Sequence, residues 1–170
     1  MLNLRSLGLY GLLLCCLTLQ GCGIYSFSGI STTAKTIYIG NFFNQAAAGP
    51  ANLGQQFTED LKGYFLQNSR LQLVNSPGDA DLTLEGMVVG YTAMPQGVTA
   101  NDAGAVNRLT ITVDVDFKNM IEEDKDFRRQ FSFYQDFPQN QDLSTVEVRL
   151  ISQIFEQINL DIFNATLADW

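Results

Sequence analysis

The sequence predicts an α+β fold: a single domain with a four-stranded mixed sheet and two helices packed on one face, in the order β-α-β-β-β-α. Three observations carry this. Leu109, Ile111, Val113, Val115 and Phe117 alternate with Thr110, Thr112, Asp114 and Asp116, the two-residue period of a strand with one buried and one wet face. Two stretches, about 53–68 and 144–166, instead repeat their apolar residues every three or four positions, as amphipathic helices do. Neither helix adjoins the other in sequence, so a sheet with both helices gathered on one side is the natural layered solution.

The elements follow in order. Thr36 to Phe43 reads as the first strand, with Ile37, Ile39 and Phe43 on one face, and Asn44 to Pro50 as a loop. Asn52 is placed to cap a helix, with Gln55 three residues on to reach back. Leu53, Phe57, Leu61, Tyr64 and Phe65 form its apolar face. Gly63 costs this helix about 1 kcal/mol relative to alanine, and a close packing partner would explain it. Leu71 to Val74 is a short extended piece, and Asn75 to Asp79 a turn. Asp81 to Tyr91 reads as a strand whose interior glycines, Gly86 and Gly90, predict a bulge or sharp twist. Met94 to Gly104 is expected to be a loop. After the alternating strand, a polar turn from Lys118 to Lys125 closes a hairpin onto Asp126 to Phe137. That return strand puts Phe127, Phe131, Phe133 and Phe137 on one face, with Arg129 and Gln135 among them. Ser144-Thr145-Val146-Glu147 is a capping box. Val146, Leu150, Ile151, Ile154, Ile158 and Ile162 are the buried stripe of the last helix, with Leu167 and Trp170 packing at its end.

The amino terminus has a different character. Arg5 precedes an apolar run from Leu7 to Leu19, and Gly21 is followed by Cys22. That is the layout of a secretory signal, too short for a helix of about 20 residues to span the bilayer. Leu19-Gln20-Gly21-Cys22 resembles the lipobox of bacterial lipoproteins, in which the cysteine is lipidated and becomes the first mature residue. The expected organisation is therefore a signal peptide over 1–21, a lipid anchor and leader over 22–34, and the α/β domain over 35–170. Stable attachment needs more than one acyl chain, because each buried methylene contributes about 0.8 kcal/mol. Cys15 and Cys16 leave with the signal, so the mature chain keeps only Cys22 and can form no internal disulfide.

Composition excludes several function classes. The whole chain has 10 basic and 18 acidic residues, which argues against nucleic acid as a partner. It has no histidine, so Ser-His-Asp, Cys-His and His-based zinc chemistry fall together. Asp114 and Asp116 share a strand face and could be read as an acid-base pair or a seat for a hard cation. The plainer reading is the wet side of a half-buried strand. Glu122-Glu123-Asp124 lacks the spacing of a calcium loop and reads as a solvated hairpin tip. Lys118, Lys125, Arg128 and Arg129 gather near that hairpin and are the candidate ligand-binding residues, suited to phosphate or carboxylate, though interleaved with acids. No catalytic residue, metal ligand or cofactor motif emerges. Binding or assembly is the better class.

The chain resembles the LptE family, the lipoproteins that partner the outer-membrane barrel LptD in lipopolysaccharide export. The resemblance rests on Gly21-Cys22-Gly23 followed at once by Ile24-Tyr25-Ser26-Phe27, on Asn107-Arg108-Leu109-Thr110-Ile111-Thr112-Val113 as the central strand, and on the order of elements. It implies a plug within an LptD-type barrel that helps the barrel assemble and contacts lipopolysaccharide. It also implies a lipid-anchored protein on the periplasmic side of the outer membrane, held there through Cys22; Gly23 is not the aspartate that resembles an inner-membrane retention signal. Family members carry basic residues on the loop between the second and third strands and near the last helix. Here Met94 to Gly104 and Pro138 to Leu143 contain no Lys or Arg, so those contacts are not carried over. Two other readings compete: a tethered periplasmic lipoprotein binding a small ligand or peptide by its open sheet, and an enzyme using paired carboxylates.

Overall fold

A computed structural model describes residues 32–96 and 106–167. Cys22 and the signal and leader up to residue 31 lie outside the described residues, as does Trp170. The elements are β1 (Thr36–Ile39), β2 (Phe43–Asn44), α1 (Leu53–Asn68), β3 (Gln72–Leu73), β4 (Leu82–Gln96), β5 (Val106–Asn119), β6 (Phe127–Pro138) and α2 (Leu143–Leu167).

The α+β class holds, with six strands instead of four. The sheet runs β3-β1-β4-β5-β6, and β2 pairs with β4 beyond the end of β1. β1 is parallel to β3 and to β4, while β4, β5 and β6 are antiparallel, so the sheet is mixed. The two added strands are two residues each: the extended piece at Leu71 to Val74 pairs as β3, and the expected first strand splits.

The split has a local cause. Ile39 pairs with Leu84 and Phe43 with Met87, so the first segment advances four residues where β4 advances three. One extra residue inverts the alternation. Phe42, not Phe43, therefore turns inward, 2% exposed against 69% for Phe43. Its ring meets Phe57 edge-on at 5.0 Å.

The second inversion was legible beforehand. The β4–β5 register shifts between Val88 and Gly90, where the glycines predict a bulge. Leu82, Leu84 and Val88 face inward before it and Tyr91 after it. Gly86 is required by close approach: a Cβ there would stand 2.1 Å from the Asp114 carbonyl oxygen. Gly63 has the opposite surroundings, with nothing within 4 Å of an added Cβ, so no packing partner explains it.

Both helices lie on the face formed by the odd-numbered residues of β5. Leu53, Phe57, Leu61 and Phe65 of α1 join Leu150, Ile154, Phe155 and Ile158 of α2 in one core with Leu109, Ile111, Val113 and Val115. Phe57 touches Phe155 edge-on at 5.0 Å, tying the two helices together.

Both expected caps are corrected. Asn52 sits at the start of α1 but its side chain accepts no capping bond, and Gln55 donates to Glu59 instead of reaching back. At α2 the cap is Asp142: its carboxylate accepts from the Ser144 amide and hydroxyl, both at 2.9 Å. Those bonds hold the Asp142 carboxyl below its ordinary range. Glu147 is drawn away from the cap because it accepts the Tyr91 hydroxyl at 2.5 Å. Finally, the loop expected over Met94 to Gly104 is shorter at its start, since Met94 to Gln96 pair with Val106 to Arg108 as the end of the hairpin.

Candidate functional site

The open face of the sheet follows from the even-numbered residues of β5. Period-two alternation sends Arg108, Thr110, Thr112, Asp114, Asp116 and Lys118 to the side away from the helices. The antiparallel registers set Arg128, Gln130, Ser132, Tyr134 and Asp136 of β6 beside them. From β4 the same face receives Thr83, Glu85, Met87, Thr92 and Met94.

Polar groups on this face are tied in cross-strand pairs. Arg108 and Asp136 stand directly opposite and bond through two nitrogens, at 2.7 and 2.9 Å. Arg108 lies flat over the Tyr134 ring, 3.6 Å from its centre. The Arg108 bond holds the Asp136 carboxyl below its usual range and raises the guanidinium in turn. Next along, Thr112 and Ser132 hydroxyls meet at 2.9 Å. Arg128 reaches diagonally to Asp114 at 3.0 Å, and Lys118 reaches Asp126 at 3.4 Å. The Asp126 carboxylate also accepts the Asn119 amide at 2.7 Å, which closes the hairpin.

The four candidate basic residues are thus not one cluster. Lys118 and Arg128 share the open face. Lys125 sits in a short 3-10 turn at the hairpin tip, 2.6 Å from Glu122. Arg129, opposite Val115, lies on the helix side, stacked on Phe127 at 4.8 Å and Phe131 at 4.6 Å. Consecutive strand residues point to opposite faces, so Arg128 and Arg129 do not share one face. Sequence reasoning passed over Arg108, the cation of the open face that is bonded twice to Asp136 and lies over Tyr134. Its parity with Thr110 and Thr112 was the available signal.

Asp114 and Asp116 are on the wet face as expected, and Arg128 is bonded to the first of them. With Glu85, which faces Asp116 across the strands, they line a shallow cleft of about 300 Å³. Phe43 and Met87 form its apolar wall. A second recess of about 490 Å³ lies on the other side of Phe43, against Gln55, Thr58 and Lys62 of α1. Among the described residues no group of His, Cys, Asp and Glu is arranged to hold a metal ion. No helix among them is long and apolar enough to cross a membrane.

The decisive comparison is with sequence families. The model of the LptE family, described as lipopolysaccharide-assembly, matches residues 34–166, nearly the whole described domain. The chain belongs to the LptE family. No curated protein matches the sequence. Solved structures similar to this LptE-family domain include an uncharacterized lipoprotein B from Nitrosomonas europaea, 13% identical, with a TM-score of 0.53 over 76% of this chain and 79% of that one. A protein from Xanthomonas campestris gives 0.55 at 10% identity, covering 79% of this chain and 84% of the other. A hypothetical protein from Chlamydia trachomatis gives 0.52 at 12% identity, covering 78% and 97%. At such identities these likenesses speak for the fold alone. The family match carries the functional class: a lipoprotein family of lipopolysaccharide assembly, not an enzyme family.

Proposed function

We propose that this chain is a lipid-anchored structural partner and plug of an LptD-type outer-membrane barrel, assisting the barrel's assembly and the delivery of lipopolysaccharide to the cell surface. Cys22 carries the anchor and holds the domain on the periplasmic side of the outer membrane. Membership of the LptE family over residues 34–166 is the observation that carries this reading. The division of the sheet supports it. One face is covered by both helices and holds the core, while the other is a largely polar surface on which Arg108 and Asp136, and Arg128 and Asp114, are already paired. A surface of that kind tolerates a wet interface inside a barrel lumen better than a greasy one, because no large apolar area has to be hidden.

Contacts with lipopolysaccharide are assigned to Lys118 and Arg128, the two of the four candidate basic residues that share the open face with Arg108. Arg129, on the helix side, and Lys125, at the tip, would meet ligand only from other directions. A mild-detergent pull-down of the tagged, lipidated chain, followed by mass spectrometry, tests the reading. One stoichiometric barrel of LptD type is the expected result. Recovery of the chain without any barrel would overturn it in favour of a tethered protein that binds a small ligand or peptide. Within a positive result, charge reversal of Arg128 should weaken lipopolysaccharide binding more than reversal of Arg129. Equal retention of binding in both variants would remove the ligand assignment.

A further inference from the structure

The two edges of the sheet differ. At one end β3 is two residues long, too short to template another strand, as protected edges usually are. At the other end β6 runs for 12 residues and pairs on its outer side with no strand among the described residues. Each second residue of that edge offers an amide and a carbonyl outward.

We propose that β6 is a self-complementary docking edge for a second copy of this chain, paired antiparallel about a two-fold axis at Ser132. The charges on the strand select this register. With Ser132 opposite Ser132, Arg128 of each copy faces Asp136 of the other. Both residues are already held in line by their own protomer, Arg128 by Asp114 and Asp136 by Arg108. The pairing therefore extends each bond into an alternating row of acid and base across four strands. It occurs twice by symmetry. On the helix side the same register sets Phe131 against Phe133 and Phe127 against Phe137, aromatic cross-strand pairs of the kind that stabilise sheets.

The charged residues of β6 disfavour the neighbouring registers. A charged residue on the covered side of an edge strand usually blocks pairing. At Ser132-centred register Arg129 faces Gln135, a hydrogen-bond acceptor. A shift of one pairing step one way sets Arg129 against Phe133 and brings Asp126 opposite Asp136. The shift the other way sets it against Phe137 and leaves Asp136 opposite Gln130. Of these three registers only the central one sets both Arg128 and Asp136 against an opposite charge. This inference does not rest on the barrel reading.

The test uses the full, lipidated chain, overproduced without a barrel partner and held in mild detergent. Its only mature cysteine, Cys22, is expected to be occupied by lipid, so a thiol introduced at β6 reports alone. Under gentle oxidation Ser132→Cys should form a disulfide-linked dimer, about tenfold more than Gln130→Cys or Tyr134→Cys, whose copies stand offset from themselves. Arg128→Glu, added to Ser132→Cys, should cut that yield about tenfold, and Asp136→Arg added to both should restore it. Circular dichroism confirms that each variant is folded. Absence of a dimer at position 132, equal yields at all three positions, or no response to Arg128→Glu would each overturn the proposal. Because no barrel is present, failure here leaves the plug reading untouched, and a lost barrel pull-down leaves this one untouched.

Discussion

On β5, Leu109, Ile111, Val113 and Val115 are fully buried, while Thr110, Thr112, Asp114 and Asp116, one residue away in each case, stay partly in solvent. The two faces of the sheet share a backbone but not an energy source. Each fully buried aliphatic side chain on the covered face contributes about 1.5–3 kcal/mol. On the open face the stabilising contacts are ion pairs and hydroxyl bonds between partly solvated groups, which are individually weak. The difference teaches where change is tolerated. The covered face holds the fold, and the open face can change without undoing it.

The contrast can be broken most sharply at Phe57, fully buried and in edge contact with both Phe42 and Phe155. Phe57→Ala should cost about 3–5 kcal/mol in urea unfolding. A loss near zero would mean that α1 and α2 do not share one core. Next comes Gly86→Ala, whose new Cβ would meet the Asp114 carbonyl oxygen at 2.1 Å and the Phe42 ring at 2.6 Å. Because backbone must give way, a loss of about 1–3 kcal/mol is expected. Gly63→Ala has the opposite sign. Open space surrounds the position, so stability should rise by about 0.5–1 kcal/mol through helix propensity alone.

Acid titration gives a smaller effect. The Asp81 carboxylate accepts the amides of Lys35 at 2.7 Å and Thr36 at 3.0 Å, and these bonds, Lys35 first, lower its pKa below the ordinary 3.8. A carboxylate whose pKa is lower in the folded state stabilises above its unfolded value. That stabilisation is lost as the pH falls below 3.8 and through the depressed pKa. Asp81→Asn should flatten this part of the acid limb of a stability-against-pH curve. The least expected change is on the open face. Removing Arg108 and Asp136 together should leave the urea midpoint almost where it was, since the pair is solvated. A large drop there would erase the distinction between the faces.

How far the sequence could be read varies with the range of the interactions. Both helices and the bulge near Gly90 were legible because their signals are local: a repeat of three to four residues, and glycines inside a strand. The cap of α2 was misread because Asp142 accepts the Ser144 amide that Glu147 was expected to take, and Glu147 has a distant partner in Tyr91. No local pattern announces a partner 56 residues away. Likewise Phe42 and Phe43 are equivalent as sequence, and only the extra residue against β4 decides which one is buried. The basic residues near the hairpin are neighbours in the chain, but alternation sends Arg128 and Arg129 to opposite faces.

By itself the sequence determined the α+β class, the identity of the buried and wet faces of β5 and the two amphipathic helices, because periodicity is written residue by residue. It also carries the family signal over 34–166. Tertiary structure alone decided that Arg108 meets Asp136, that Arg128 meets Asp114, and that β6 is the long edge without a neighbouring strand among the described residues. Register and strand order depend on contacts between segments far apart in the chain. Those contacts are chosen by the joint packing of the core, and no single stretch encodes them.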